Sequence, residues 1–188
     1  VQYAGWALLN RDALMPQRAA VERQVLIVEE AQERLRGIMT IDFVTPDYFA
    51  IYPKPCMGGW ARDAFMVAPD GTVLPCHAAA TIKTLQFERF GDRPLSEIWH
   101  DSAAFKAFRG TDWMQEPCRS CERKEIDWGG CRCQAMAIAG DAAASDPACI
   151  KSPFHDRMGA LIDQATGKKS SDGTFAYRRI GRMSEPIV

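Results

Sequence analysis

Between residues 56 and 149 the sequence sets seven cysteines in a definite rhythm: Cys56-x14-Gly71-x4-Cys76, then Cys118-x2-Cys121-x9-Cys131-x-Cys133, then Cys149. Thiols bunched like this bind metals or pair as disulfides. An odd count leaves one thiol over in any disulfide scheme, and Cys131 and Cys133 are too close to favour bonding each other. No secretory segment is visible, so the expected setting is the reducing cytoplasm, where such spacing means metal binding or catalysis. A Cys-x2-Cys turn brings two sulfurs within reach of one metal or of two neighbouring irons. A Cys-x-Cys pair in extended backbone aims both thiols at one face, because side chains alternate along a strand. Gly129-Gly130, just ahead of that pair, lets the chain turn sharply against whatever the thiols hold.

Two metal chemistries compete. Zinc would take Cys118, Cys121, Cys131 and Cys133 as a tetrahedron of thiolates. Zinc knuckles usually come as two Cys-x2-Cys pairs, and here the second pair is one residue short; Cys56, Cys76 and Cys149 would also be idle. Iron–sulfur clusters account for more, since thiolates are their usual ligands and two clusters need eight. The cysteines supply all but one.

The elements that must position these residues divide into three stretches. Residues 16–37 read as an amphipathic helix, with Val21, Val25, Val28 and Leu35 on one face and Glu22, Glu29, Glu33 and Arg34 on the other. Gly37 would stop it. The β-branched run from Ile38 to Val44, closed by Thr45-Pro46, reads as a buried strand. One helix and one strand cannot make a sheet alone. Residues 1–50 are therefore expected to be the end of a larger α/β sheet or barrel, and the sequence to be the C-terminal part of a longer protein.

Residues 51–155 are expected to form a small, loop-rich domain. Ala64 to Val67 and Thr72 to Pro75 flank Pro69-Asp70-Gly71, a hairpin signature that delivers Cys76 directly after its second strand. Pro94 to Phe108 reads as a short helix with Leu95, Ile98, Trp99, Phe105 and Phe108 inward. Residues 112–134 read as a cysteine- and glycine-rich loop, and Gln134 to Ala139 as a helical turn. Residues 156–188 read as a tail, solvated from Gly167 onward. The overall expectation is an α+β chain: the last α/β elements of a partial TIM-like barrel, then a small domain with a β-hairpin and short helices.

Composition excludes some functions. The formal net charge is −1, so there is no basic footprint for nucleic acid or anionic membrane. No apolar run approaches the roughly 20 residues that span a bilayer.

The cysteine pattern resembles the SPASM domain of radical S-adenosylmethionine (SAM) enzymes, with its C-x(9–15)-G-x4-C, C-x2-C-x5-C-x3-C and final C. Cys56, Gly71 and Cys76 match the first part, Cys118 and Cys121 the Cys-x2-Cys, Cys131 the fourth cysteine of the central run and Cys149 the last. The third cysteine of that run would fall at position 127, and Asp127 stands there; a carboxylate can replace a thiolate on iron as a harder donor. The wording between the cysteines narrows the likeness. Lys54-Pro55-Cys56-Met57-Gly58-Gly59-Trp60, Val73-Leu74-Pro75-Cys76-His77 and Asp127-Trp128-Gly129-Gly130-Cys131-Arg132-Cys133-Gln134-Ala135 look like the PqqE family of peptide cyclases in pyrroloquinoline quinone (PQQ) biosynthesis, up to about Pro153.

That resemblance implies two auxiliary clusters. Cys56, Cys76 and Cys131, with Cys133 as the extra thiol, would hold the first, either [2Fe–2S] or [4Fe–4S]. Cys118, Cys121, Asp127 and Cys149 would hold the second, a [4Fe–4S] cubane. The family's catalytic [4Fe–4S] cluster, which cleaves SAM, sits on a Cys-x3-Cys-x2-Cys motif that this sequence lacks, so no catalytic residue is expected here. The implied reaction is a carbon–carbon cross-link between a glutamate and a tyrosine of the precursor peptide PqqA, with the auxiliary clusters passing electrons. The implied partners are PqqA, the peptide chaperone PqqD and an electron donor such as flavodoxin. The competing reading remains a zinc-stabilised interaction module.

Other residues read as ordinary. His77 is expected as a supporting donor or partly exposed, and His100 and His155 as surface. Trp60, Trp113 and Trp128 flank the cysteine segments and suit packing or water exclusion equally. Arg119, Arg123 and Arg132 could balance thiolate charge, but a solvated loop face is the slightly favoured expectation.

Overall fold

The computed structural model describes residues 10–43 and 49–167. Contacts divide the chain into two compact units, one built from Val1–Ala50 with Gly159–Val188 and the other from Ile51–Met158. In the first unit, α1 (Arg11–Leu14) precedes α2 (Arg18–Arg34). The sequence stripe is found on α2: Ala20, Val21, Val25, Val28 and Ala31, with Leu35 at its cap, are half-buried, while the residues between Val21 and Leu35 that are not in this stripe are exposed. None of its residues is fully buried.

The strand expected at Ile38 to Val44 is not formed. Ile38 lies in the turn that closes α2, residues 39–43 have no regular structure, and Val44 and Pro46 lie outside the described residues. Ile38 is 78% exposed. A strand exists only by pairing, and no described strand runs beside this one; its Ile41 carbonyl instead accepts from the Gln32 amide at 2.8 Å. Of the helix and strand expected here, the described residues form the helix.

The second unit holds the cysteines. Its hairpin pairs β1 (Met66–Val67) with β2 (Val73–Leu74), Met66 opposite Leu74 and Val67 opposite Val73. Asp70 closes the turn by accepting the Thr72 N–H at 3.0 Å, and Gly71 supplies the left-handed φ of 88° that this turn requires. A third segment, unread in the sequence, lies along β2: Val73 N–H donates to Glu88 O at 2.9 Å and Phe90 N–H to Gly71 O at 2.8 Å. β2 is buried and β1 exposed.

The helix expected from Pro94 to Phe108 is two helices, α3 (Leu95–Asp101) and α4 (Ala103–Lys106). Ser102 breaks them with an extended ψ of 130°, and its hydroxyl donates to Glu88 Oε2 at 2.6 Å. A serine side chain that finds a partner outside the helix competes with helical continuation. The inward residues are as expected: Ile98 and Phe105 are fully buried and pack with Trp60, Val73, Leu74 and Ile82.

The cysteine-rich loop is more regular than its composition suggests. It contains α5 (Lys124–Asp127), and α6 spans Arg132–Ala139, beginning two residues before the expected turn at Gln134. Trp128, Gly129 and Gly130 join them with φ of 51°, 76° and 73°, three left-handed residues in succession. Finally α7 (His155–Gly167) occupies residues read as tail; Met158 and Ile162, one turn apart, are its buried positions.

Candidate metal centre

Three segments deliver four thiols to one place. Cys56 opens a short 3-10 turn, Cys76 follows β2, Cys131 is the extended cap of α6, and Cys133 lies in its first turn. Cys76 Sγ and Cys133 Sγ are 3.8 Å apart. Cys131 shares hydrogen bonds with Cys133 and Cys56, and Cys76 with Cys133 and Cys56. Cys131 and Cys133 therefore meet through the turn of a helix start, not through the extended backbone expected from the Cys-x-Cys spacing.

The thiols are not equal. Hydrogen bonds with Cys133 and Cys56 pull Cys76 and Cys131 well below the usual thiol range, helped by the Ala78 and Gln134 N–H groups. Cys56 and Cys133 are pushed far up by the same hydrogen bonds, with Cys131 the first partner of each. Thiols packed this closely cannot all ionise without a counter-charge. A metal that takes thiolates supplies one.

A second group lines an adjoining cleft of about 320 Å³, solvent-open space included, whose wall contains Cys118, Cys121, Asp127 and Cys149. Burial pushes the Cys118 thiol up to about 11 and raises Cys149 as well. Asp127 is 7% exposed; its Oδ1 accepts the Gly129 N–H at 3.1 Å and its Oδ2 lies 3.6 Å from Arg123 Nε. Burial raises its carboxyl, against the Gly129 N–H and Arg123, which hold it down. Cys121 is held from the rim: Lys151 Nζ donates to its sulfur at 3.6 Å and to Glu122 Oε1 at 2.8 Å.

All eight anticipated donors thus fall into two sets of four. The quartet that zinc would need is divided, Cys118 and Cys121 in the cleft and Cys131 and Cys133 with the other thiols. Among the described residues no three His, Cys, Asp or Glu side chains are gathered as the ligands of a single ion. Soft thiolates in fours, with one carboxylate, are the donor set of iron–sulfur chemistry.

Two residues that the sequence reading passed over or placed elsewhere sit between the sets. Arg132, expected on a solvated face, is 1% exposed. It donates to the carbonyls of Ala142 at 2.9 Å, Ala144 at 2.7 Å and Gly129, and stacks 4.7 Å over Trp113. Asp146, also 1% exposed, accepts the Cys131 N–H at 2.6 Å, Gln134 Nε2 at 2.7 Å and the Ala148 N–H at 2.9 Å, and lines the cleft. Burial pushes its carboxyl up to about 6. The Asp-Pro-Ala-Cys wording carried a usable signal, because an aspartate that takes the N–H two residues on is a turn former. Gly130 passes beneath: a Cβ there would lie 2.7 Å from the Pro53 Cβ.

The remaining candidates are peripheral. His77 and His100 are exposed, whereas His155 is half-buried and its Nδ1 lies 3.0 Å from Pro147 O. Trp60 is core, donating to Ala104 O at 2.9 Å. Trp113 donates to Gly110 O, and Trp128 is covered by Arg62 at 4.5 Å. Arg119 is exposed.

The class follows from this arrangement and from comparison. Residues 56–122 match the model of the SPASM family, an iron-sulfur cluster-binding domain. The match ends before Cys131. Over nearly its whole length the chain is also similar to PqqA peptide cyclases. It is 57% identical to that of Ruegeria pomeroyi over 97% of this chain and 48% of the relative. It is 56% identical to that of Methylobacterium sp. strain 4-46 over 100% of this chain and 48% of the relative, and 55% identical to that of Methylorubrum extorquens PA1 over 96% and 46%. The chain spans about half the length of these curated relatives. Among the described residues no helix is long and apolar enough to cross a membrane.

Proposed function

We propose that this chain is the auxiliary-cluster region of a cytoplasmic radical SAM peptide cyclase that cross-links a glutamate to a tyrosine in PqqA during PQQ biosynthesis. The observation that supports it most is the sorting of eight donors from distant segments into two adjoining sets. Similarity to the cyclases over the whole chain agrees with it. Cys56, Cys76, Cys131 and Cys133 would hold the first cluster, [2Fe–2S] or [4Fe–4S]. Cys118, Cys121, Asp127 and Cys149 would hold the second, [4Fe–4S]. Bound clusters would supply one-electron transfer to and from the reacting peptide. The catalytic [4Fe–4S] cluster and SAM would lie on the part of the protein beyond this sequence.

The residues present do three things toward that chemistry. The 3-10 turn at Cys56, the hairpin ahead of Cys76 and the start of α6 bring the four thiols together. Trp60, Phe105 and Phe108 pack the core behind Cys76 and Cys133 and keep water from that side. The cleft is open, and Lys151 at its rim gives Cys121 a positive neighbour. PqqA as the peptide, PqqD as its chaperone and an electron donor such as flavodoxin are the partners this reading implies.

The test is metal and sulfide content of the full-length protein containing this chain, prepared anaerobically. Iron with matching acid-labile sulfide, lost in part when Cys76 or Cys118 is replaced by alanine, is expected. A colourless protein holding zinc and no sulfide would leave only the interaction-module reading.

A further inference from the structure

Arg132 is a buried cation that is not itself a ligand in the cluster reading on which this inference rests. It is the largest fully buried side chain among the described residues. A guanidinium so far from water needs compensation. No carboxylate among the described residues lies within ion-pair distance of it; its hydrogen bonds go to the backbone carbonyls of Gly129, Gly130, Ala142 and Ala144. Its surroundings in charge are Asp146, Cys118 of the cleft, and Cys131 and Cys56 of the four-thiol set.

The position explains this reach. Arg132 is the single residue between two thiols of the first set, and the Gly129 carbonyl it holds belongs to a residue that lines the cleft of the second. Trp113 covers its outer face. One positive charge, screened little at such depth, therefore stands behind both sets of donors. We propose that Arg132 is a positioning charge shared by the two cluster sites, whose cation raises the reduction potential of both together. When either cluster takes up one electron its negative charge grows, and a fixed cation nearby stabilises the reduced form.

The experiment compares Arg132→Gln and Arg132→Lys in the full-length protein by dithionite titration, following each cluster's paramagnetic signal. Both variants lose the fork that clamps the carbonyls, but only the lysine keeps a charge. The glutamine variant is expected to lower the reduced-to-oxidised ratio of both clusters about tenfold at a fixed poise, which is 59 mV for a one-electron couple, while the lysine variant stays close to the parent. Loss of iron in the glutamine variant with retention in the lysine variant supports the same conclusion. Equal loss of iron in both variants reduces Arg132 to a scaffold and overturns the proposal. So does a shift at one cluster alone, or at neither with iron retained. A parent protein without iron and sulfide defeats the cluster reading itself, a separate outcome.

Discussion

The four-thiol set and the cleft are built on opposite plans. In the first, the sulfurs are each other's neighbours, drawn from three places and joined by shared hydrogen bonds. In the second, the donors line an open space and are held by other groups: Asp127 by Gly129 and Arg123, Cys121 by Lys151. The first set already contains acidified thiols, whereas burial leaves Cys118 reluctant to ionise. The lesson is that one cysteine-rich segment can press some thiols against one another and spread others around an open cleft.

The largest expected effect is on the first set. Cys131→Ala removes a thiol on which two others depend, so its cluster signal should disappear, a loss beyond the roughly 10–100-fold that removing a supporting group costs in metal affinity. The cleft signal should survive, and electron paramagnetic resonance with iron analysis reads both. Collapse of both signals together would break the comparison.

Asp127→Ala should act the other way, changing the cleft signal while the four-thiol signal persists. An unaltered spectrum would remove Asp127 from the ligands. Gly130→Ala tests the wall the two sites share. It forces a side chain into left-handed backbone, at about 1–2 kcal/mol, and crowds Pro53 and Asp146, at about 1–3 kcal/mol more. Gly110→Ala has open space around its Cβ and should pay only the backbone cost. Denaturant melts of the two variants give the difference.

A smaller effect is expected with pH. The folded Cys118 thiol sits at about 11 against an ordinary 9.0. A raised acid favours the fold while it stays protonated. The metal-free protein should therefore lose stability as pH climbs from about 9 to about 11, and loading the cleft should release protons. Thermal melts across that window, with and without Cys118→Ser, check the sign. Smallest of all, Lys151→Ala breaks an exposed pair with Glu122 worth about 0.2–1 kcal/mol. It should leave the four-thiol signal untouched and alter only the accessible cleft.

The grouping of the candidate donors was partly legible in the sequence, because residue type and spacing are local information. Asp127 falls where a counted cysteine should be, and the structure brings it to Cys118, Cys121 and Cys149. The hairpin was legible for a related reason: Pro69-Asp70-Gly71 is turn chemistry, which is local. Burial is not local. Arg132 sits among Gly, Cys and Gln in a stretch that reads as solvated loop, and only the fold reveals the four carbonyls that receive it. The strand at Ile38 failed likewise, since β-branched residues specify a strand only when a neighbour pairs with it. Ser102 split a helix whose apolar periodicity was correctly read, because its partner Glu88 is remote in the chain.

The start of α6 also constrains what evolution can edit. Because a helical turn takes 3.6 residues, each added residue swings everything after it by ~100°. A single insertion between Cys131 and Cys133 would carry one sulfur around the barrel of the helix and bring the intervening side chain into its place. This stretch should accept substitutions in kind but no change in length.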